Sequence, residues 1–216
     1  MEARLNLFGS GIGPALFKYV NSAGKVVSDS TLPHATQELV KIRASQINGC
    51  GFCTDMHTKD ATAAGETAQR LNLVATWREA TVFTEAERAA LELAEQGTRI
   101  ADAAGGVSDE AWQNAAKHYD DEQLAALIGL IAVINAYNRI NVINRQPAGD
   151  WPKSVAERRS RTGEAPEPSS VRAAIPESLR RPVPAVTLGA RRLTRLRQRE
   201  EFRAARAPWS ARTSSK

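Results

Sequence analysis

One stretch limits the fold of this chain more than any other. After Asp120, a residue type suited to a helix N-cap, the apolar positions Leu124, Leu127, Ile128, Ile131 and Ile134 recur at helical spacing. A helix apolar nearly all round from Leu124 to Ile134 has no solvated face to spare. It is therefore expected at the centre of a helical body, or covered by another subunit. The run reaches only about half of the length a membrane span needs, so no membrane partner is expected. Nowhere in the first 150 residues does an alternating strand pattern appear, and the expected fold class is all-α, a compact helical bundle.

The remaining helices announce themselves by their ends. Pro14 suits a first turn and opens a short helix to Asn21, preceded by an irregular arm with Gly9, Gly11 and Gly13. No strand precedes those glycines and no Gly-Lys-Ser/Thr follows, so they are not a phosphate loop. Ser28 to Thr31 supply capping oxygens for a helix from about Pro33 to Ile47. Asn48-Gly49 is a turn dipeptide, and a second helix runs from near Cys50 to a stop at Gly65. Glu66 to Trp77 is amphipathic through Leu71, Val74 and Trp77. Thr84 and Glu87 form a capping box for a helix through Leu91 and Ala94, and Ser108-Asp109 starts another through Trp112.

Composition breaks near Asp150. Residues 151–216 hold 16 Lys+Arg and 6 Asp+Glu, a net of +10, while the first 150 residues hold 13 and 18, a net of −5. Seven of the ten prolines lie in the later segment. We divide the chain into a helical domain, 1–150, and an Arg/Pro-rich basic tail, 151–216. The tail has too few large apolar residues for a packed core and is expected to be disordered or partly helical, with Arg191 to Arg206 as its one helical candidate. A nucleic-acid-binding extension is the competing reading. No charged-then-apolar leader opens the chain, so a cytoplasmic protein is expected, in which thiols stay reduced unless they are used.

The chemistry concentrates in Cys50-Gly51-Phe52-Cys53-Thr54-Asp55-Met56-His57, which contains both cysteines and one of the three histidines. On a helix, Cys50, Cys53 and His57 stand at i, i+3 and i+7 and share a face. Two thiols so spaced can close a disulfide with little backbone movement, and a helix N-terminus favours thiolate over thiol. The bland readings are packing of small hydrophobes, or a metal site whose fourth ligand would come from Glu38, His34 or water. The spacing favours a redox dithiol; no metal and no cofactor is expected. Spacing alone leaves open which sulfur attacks. His34 and His118 read as surface residues, and Glu38 as an ordinary solvated helix carboxylate.

The order Glu38, Cys50, Cys53, His57, within Gln37-Glu38-Leu39-Val40-Lys41-Ile42-Arg43-Ala44-Ser45-Gln46-Ile47-Asn48-Gly49-Cys50, resembles the alkylhydroperoxidase D branch of the carboxymuconolactone decarboxylase family. Trp77 to Ala80, Thr84 to Arg88 and Ile134-Asn135-Ala136-Tyr137-Asn138-Arg139 are similar to later family segments, so the likeness spans roughly residues 5–150. It implies that Cys53 is the peroxidatic thiol, that Cys50 donates a proton and closes a Cys50–Cys53 disulfide, and that Glu38 and His57 relay protons. It also implies a peroxide substrate, a protein dithiol reductant and a homotrimer or homohexamer. One departure is Phe52, where some members carry histidine, which leaves the relay one titratable group fewer. The same fold hosts lactone decarboxylases, which need no dithiol; the two cysteines argue for the peroxidase branch. A dithiol partner or sensor without peroxidase turnover is the other alternative.

Overall fold

A computed structural model describes residues 2–103 and 105–149. The basic tail, the expected helix Arg191 to Arg206 and the domain boundary at Asp150 lie outside the described residues. Among those described there are seven α-helices and no strand: α1 (Gly13–Ser28), α2 (His34–Ile47), α3 (Gly51–Ala63), α4 (Ala68–Leu73), α5 (Glu85–Thr98), α6 (Asp109–Ala115) and α7 (Asp121–Asn144). The all-α class follows from the sequence pattern and is what the described residues adopt.

The helix ends are set largely by the local chemistry expected of them. Thr84 accepts from the Glu87 N–H while Glu87 reaches back to the Thr84 N–H, and Asp120 and Gln123 make the same reciprocal pair at the start of α7. Gly65, at φ +99°, follows Ala64, the C-cap of α3, and turns the chain away from the helix. The start of α2 differs from expectation. Pro33 precedes it without a side-chain cap, and Ser30 instead donates to the Val27 carbonyl and accepts from the Leu32 N–H.

Tertiary packing moved two other boundaries. α1 runs to Ser28, beyond the expected Asn21, because its second half lies on α7. Val27 is buried there, and a Cβ added at Gly129 of α7 would come within 3.1 Å of its Cγ2. The amphipathic run after Gly65 forms only the short α4 and a 3₁₀ turn, Val74–Thr76, although Leu71, Val74 and Trp77 are all buried as their register requires.

The helix at the centre of the body is α2, while α7, expected at the centre or covered by another subunit, keeps one side open. α2 packs against α3, α5 and α7, and its residues Thr36 to Val40 are buried without a break. Val40 enters one apolar cluster with Leu93, Leu127 and Leu130; Leu39 and Ile42 enter a second with Leu71, Val74, Trp77 and Leu91. α7 turns one side to α1, α2 and α5 and leaves Ile128, Val142 and Ile143 exposed. By length and composition alone α7 could cross a membrane, more than the Leu124 to Ile134 run suggested. Its row of asparagines is bonded to other elements of the bundle, however. Asn135 reaches Thr98, Asn138 reaches Ser45, Asn141 reaches Cys53 and Asn144 reaches the Leu5 carbonyl.

Candidate active site

The site is assembled where α2, α3 and α7 meet, and it begins with a turn. Gly49 adopts φ +65°, a left-handed conformation in which glycine is at ease, and so lets the chain reverse after α2. The Cys50 N–H then donates to the Ser45 carbonyl at 2.9 Å. Asn48, last residue before that glycine, donates from Nδ2 to Oδ1 of both Asn135 and Asn138 at 2.9 Å. Asn138, wholly buried, donates in turn to Ser45 Oγ at 3.0 Å. The turn is therefore pinned to α7 by side-chain amides.

Cys50 is the N-cap of α3, and its Sγ accepts from the Cys53 N–H at 3.3 Å. The two cysteines are joined as a disulfide with a Cα separation of 5.4 Å, well inside the span such a bond covers. Both are buried. Asn141 Nδ2 donates to Cys53 Sγ at 3.3 Å.

One helical turn beyond Cys53, His57 Nδ1 lies 2.9 Å from Oε2 of Glu38. Contrary to the sequence expectation of a solvated carboxylate, Glu38 is 3 % exposed. Its other oxygen accepts from Lys41 Nζ at 2.8 Å, with the exposed His34 ring nitrogen 3.6 Å away. Burial by itself pushes the Glu38 pKa up, but the hydrogen bond from His57 and the charge of Lys41 more than offset it and hold it at about 2. Glu38 is thus ionised at neutral pH and can only accept. The proton of its bond to the imidazole then sits on His57 Nδ1, and Nε2 is the nitrogen able to take up a proton.

These pairings leave little for a metal. The sulfurs bond to each other and Glu38 to His57, and among the described residues no group of three or more His, Cys, Asp or Glu is placed to hold an ion. Beside the site lies a cleft of about 940 Å³ walled by the N-terminal arm, α1 and α7. Leu5, Phe8, Phe17, Leu130 and Ile134 are among its apolar walls, and Lys41, His57 and Asn141 are among its polar lining.

All four residues singled out in the sequence lie in this one region, in two pairs: Cys50 with Cys53, and Glu38 with His57. Sequence reasoning passed over Lys41, Asn138 and Asn141. The signals were present: Lys41 stands three residues after Glu38, and Asn135, Asn138 and Asn141 recur every three residues directly after the apolar run Leu124 to Ile134.

Comparison with known proteins agrees with this architecture. The profile of the carboxymuconolactone decarboxylase family matches residues 14–96. The uncharacterized protein YdfG of Bacillus subtilis (strain 168) is 42 % identical over 131 residues, which is 61 % of this chain and 88 % of that protein. A crystal structure from Agrobacterium tumefaciens, of a protein of unknown function put forward as an antioxidant defence protein AhpD, superposes with a TM-score of 0.64 at 38 % identity, over 68 % of this chain and 99 % of that one. The debrominase Bmp8 shares the fold at a TM-score of 0.58 and 20 % identity, over 65 % and 74 % of the two chains.

Proposed function

The chain belongs to the carboxymuconolactone decarboxylase family, and on that premise we propose that it is a thiol-dependent peroxidase, reducing hydrogen peroxide or organic hydroperoxides through a Cys50–Cys53 dithiol/disulfide cycle. The observation that carries this reading is the joined cysteine pair at the start of α3 with the buried Glu38–His57 bond one turn further on. The kinship with the Agrobacterium protein of unknown function put forward as an antioxidant defence protein, and the membership of an enzyme family, support an enzyme of this kind.

In the reduced protein Cys53 gives its proton, through a water, to His57 Nε2, and Glu38 steadies the imidazolium from the other nitrogen. The Cys53 thiolate attacks the terminal oxygen of R–O–OH. An S–O bond forms and the O–O bond breaks. The departing alkoxide takes the Cys50 proton and leaves as ROH, with Cys53 now a sulfenic acid. The Cys50 thiolate attacks the Cys53 sulfur, the S–S bond forms and the S–O bond breaks. Hydroxide leaves and collects the proton held on His57, completing one water. In sum two thiols and one hydroperoxide become a disulfide, an alcohol and water.

A protein dithiol would return the pair to its reduced state by exchange. The apolar walls of the cleft suit the organic part of a hydroperoxide better than hydrogen peroxide itself. The uncovered side of α7 suits a homotrimer or homohexamer, and a reducing cytoplasmic setting suits the resting thiols.

Intact mass after one equivalent of hydroperoxide tests the cycle. The reduced wild type is expected to lose about two hydrogens, Cys53→Ser to show no peroxide consumption, and Cys50→Ser to stop at the sulfenic acid, gaining one oxygen. Peroxide consumption at full rate by Cys53→Ser would end this reading. A protein oxidised once but showing no turnover with any dithiol reductant would be a redox partner or sensor instead.

A further inference from the structure

We propose that Asn141 is a further catalytic residue: its side-chain amide donates to Cys53 Sγ and stabilises the thiolate that attacks. The reaction it serves is the one proposed above; the bond itself is made to the Cys53 sulfur of the disulfide.

The two sulfurs differ in what solvates their charge. Cys50 occupies the N-cap, where unpaired backbone N–H groups point, and it already receives the Cys53 N–H at 3.3 Å. Cys53 stands one turn inside the helix with no exposed surface, a position that penalises a thiolate. On backbone donors alone Cys50 would be the more acidic thiol. Asn141 reverses that order: its Nδ2 lies 3.3 Å from Cys53 Sγ and supplies a side-chain donor to a sulfur with no exposed surface.

The amide is also well placed to act on a developing charge. α7 is anchored one turn earlier by Asn138, whose side chain is tied to Ser45 and Asn48, so Asn141 is held in register with α3. It lines the cleft, as His57 does, and bonds to the Cys53 sulfur. Being neutral, it donates at every pH. The titratable groups that neighbouring elements bring to the cleft are Lys41 from α2 with Glu38 behind it, His57 from α3, Tyr137 from α7, and Lys25 and Asp29 from α1. Asn141→Leu leaves all of them in place, so a change in Cys53 ionisation reports the amide.

The test is an NMR titration of the reduced full-length protein carrying ¹³Cβ-labelled cysteine, in which each Cβ shift follows its own thiol. Wild type is expected to show Cys53 with the lower pKa of the pair. Asn141→Leu should raise it by about one, a roughly tenfold loss of thiolate below the midpoint, and leave Cys50 little changed. Asn141→Asp should raise it further by like charge. In ¹⁵N-labelled wild type, which needs no variant to fold, the Asn141 side-chain amide protons should shift with the Cys53 midpoint. A Cys53 midpoint unmoved in Asn141→Leu, or an Asn141 amide blind to that midpoint, overturns the assignment. If the amide effect appears but wild type reduces no hydroperoxide, the peroxidase reading fails and the role of Asn141 at the thiolate stands.

Discussion

Replacing Glu38 by Gln keeps the shape of a buried side chain and removes its charge, and the structure says what that should cost. The carboxylate is 3 % exposed and bonded to both His57 and Lys41, an arrangement that brings its pKa from 4.5 to about 2. Each step of one in pKa is worth about 1.4 kcal/mol, so the gap corresponds to roughly 3 kcal/mol of folding stability. The sign follows from the direction. Because the folded-state value is depressed, the contribution is fully present above pH 4.5 and disappears as pH falls towards about 2. Denaturant unfolding of wild type and Glu38→Gln should therefore differ by about 3 kcal/mol at pH 6, equivalent to about 6–12 °C in melting temperature. The difference should shrink steadily between pH 4.5 and the lowest pH at which both fold. A deficit in the variant that stays constant with pH would refute the reasoning, since it would assign the cost to packing rather than to charge. The same variant should slow peroxide reduction, because an amide holds His57 Nδ1–H less firmly than a carboxylate does; unchanged kinetics would remove Glu38 from the mechanism.

The turn that presents Cys50 offers two more tests. Gly49→Ala meets no atom within 4 Å, so its cost is the left-handed backbone alone, about 1–2 kcal/mol by chemical denaturation; a neutral result would mean the turn is not held at φ +65°. Asn138→Leu removes the bonds to Ser45 and Asn48 from a wholly buried site and should cost about 2–4 kcal/mol while slowing disulfide closure after oxidation. Mass-resolved quench kinetics would read that delay, and its absence would show that the amides hold α7 without governing the turn.

Much of the fold was legible because it rests on local rules. Capping boxes at Thr84 and Asp120, the stop at Gly65 and the Asn48-Gly49 reversal need only neighbouring residues. What stayed hidden depends on neighbours far along the chain. α1 extends past Asn21 because Val27 finds α7, a contact more than a hundred residues away in sequence. α2 reads as an ordinary mixed helix, since Gln37, Glu38, Lys41 and Ser45 punctuate its apolar residues. Its burial becomes intelligible only once Leu32 is seen to accept from the Gln37 amide, and His57, Lys41 and Asn138 to meet Glu38 and Ser45; Gln37 Oε1 alone of these groups is left without a partner among the described residues. The cysteine motif was visible at once, but the identity of the groups around its sulfurs was not, because Asn141 comes from a helix 88 residues away.

The same reasoning explains why hydropathy did not mark α2 as the helix the others pack around. Three helices meet at the site, and each turns a polar stripe inward at three- or four-residue spacing: Glu38, Lys41 and Ser45 on α2; Cys50, Cys53 and His57 at and along α3; Asn135, Asn138 and Asn141 on α7. α7 is inverted relative to an ordinary surface helix in this stretch, with amides facing the body and Ile128, Val142 and Ile143 facing out. A polar seam of this kind is tolerable only if its members satisfy one another, and here the bonds run continuously from Thr98 through Asn135, Asn48 and Asn138 to Ser45. The groups that settle the seam are thus the ones that hold the turn before Cys50 and aim an amide at Cys53. Stability and dithiol chemistry draw on one set of side chains, which is why removing the Asn138 amide should disturb both.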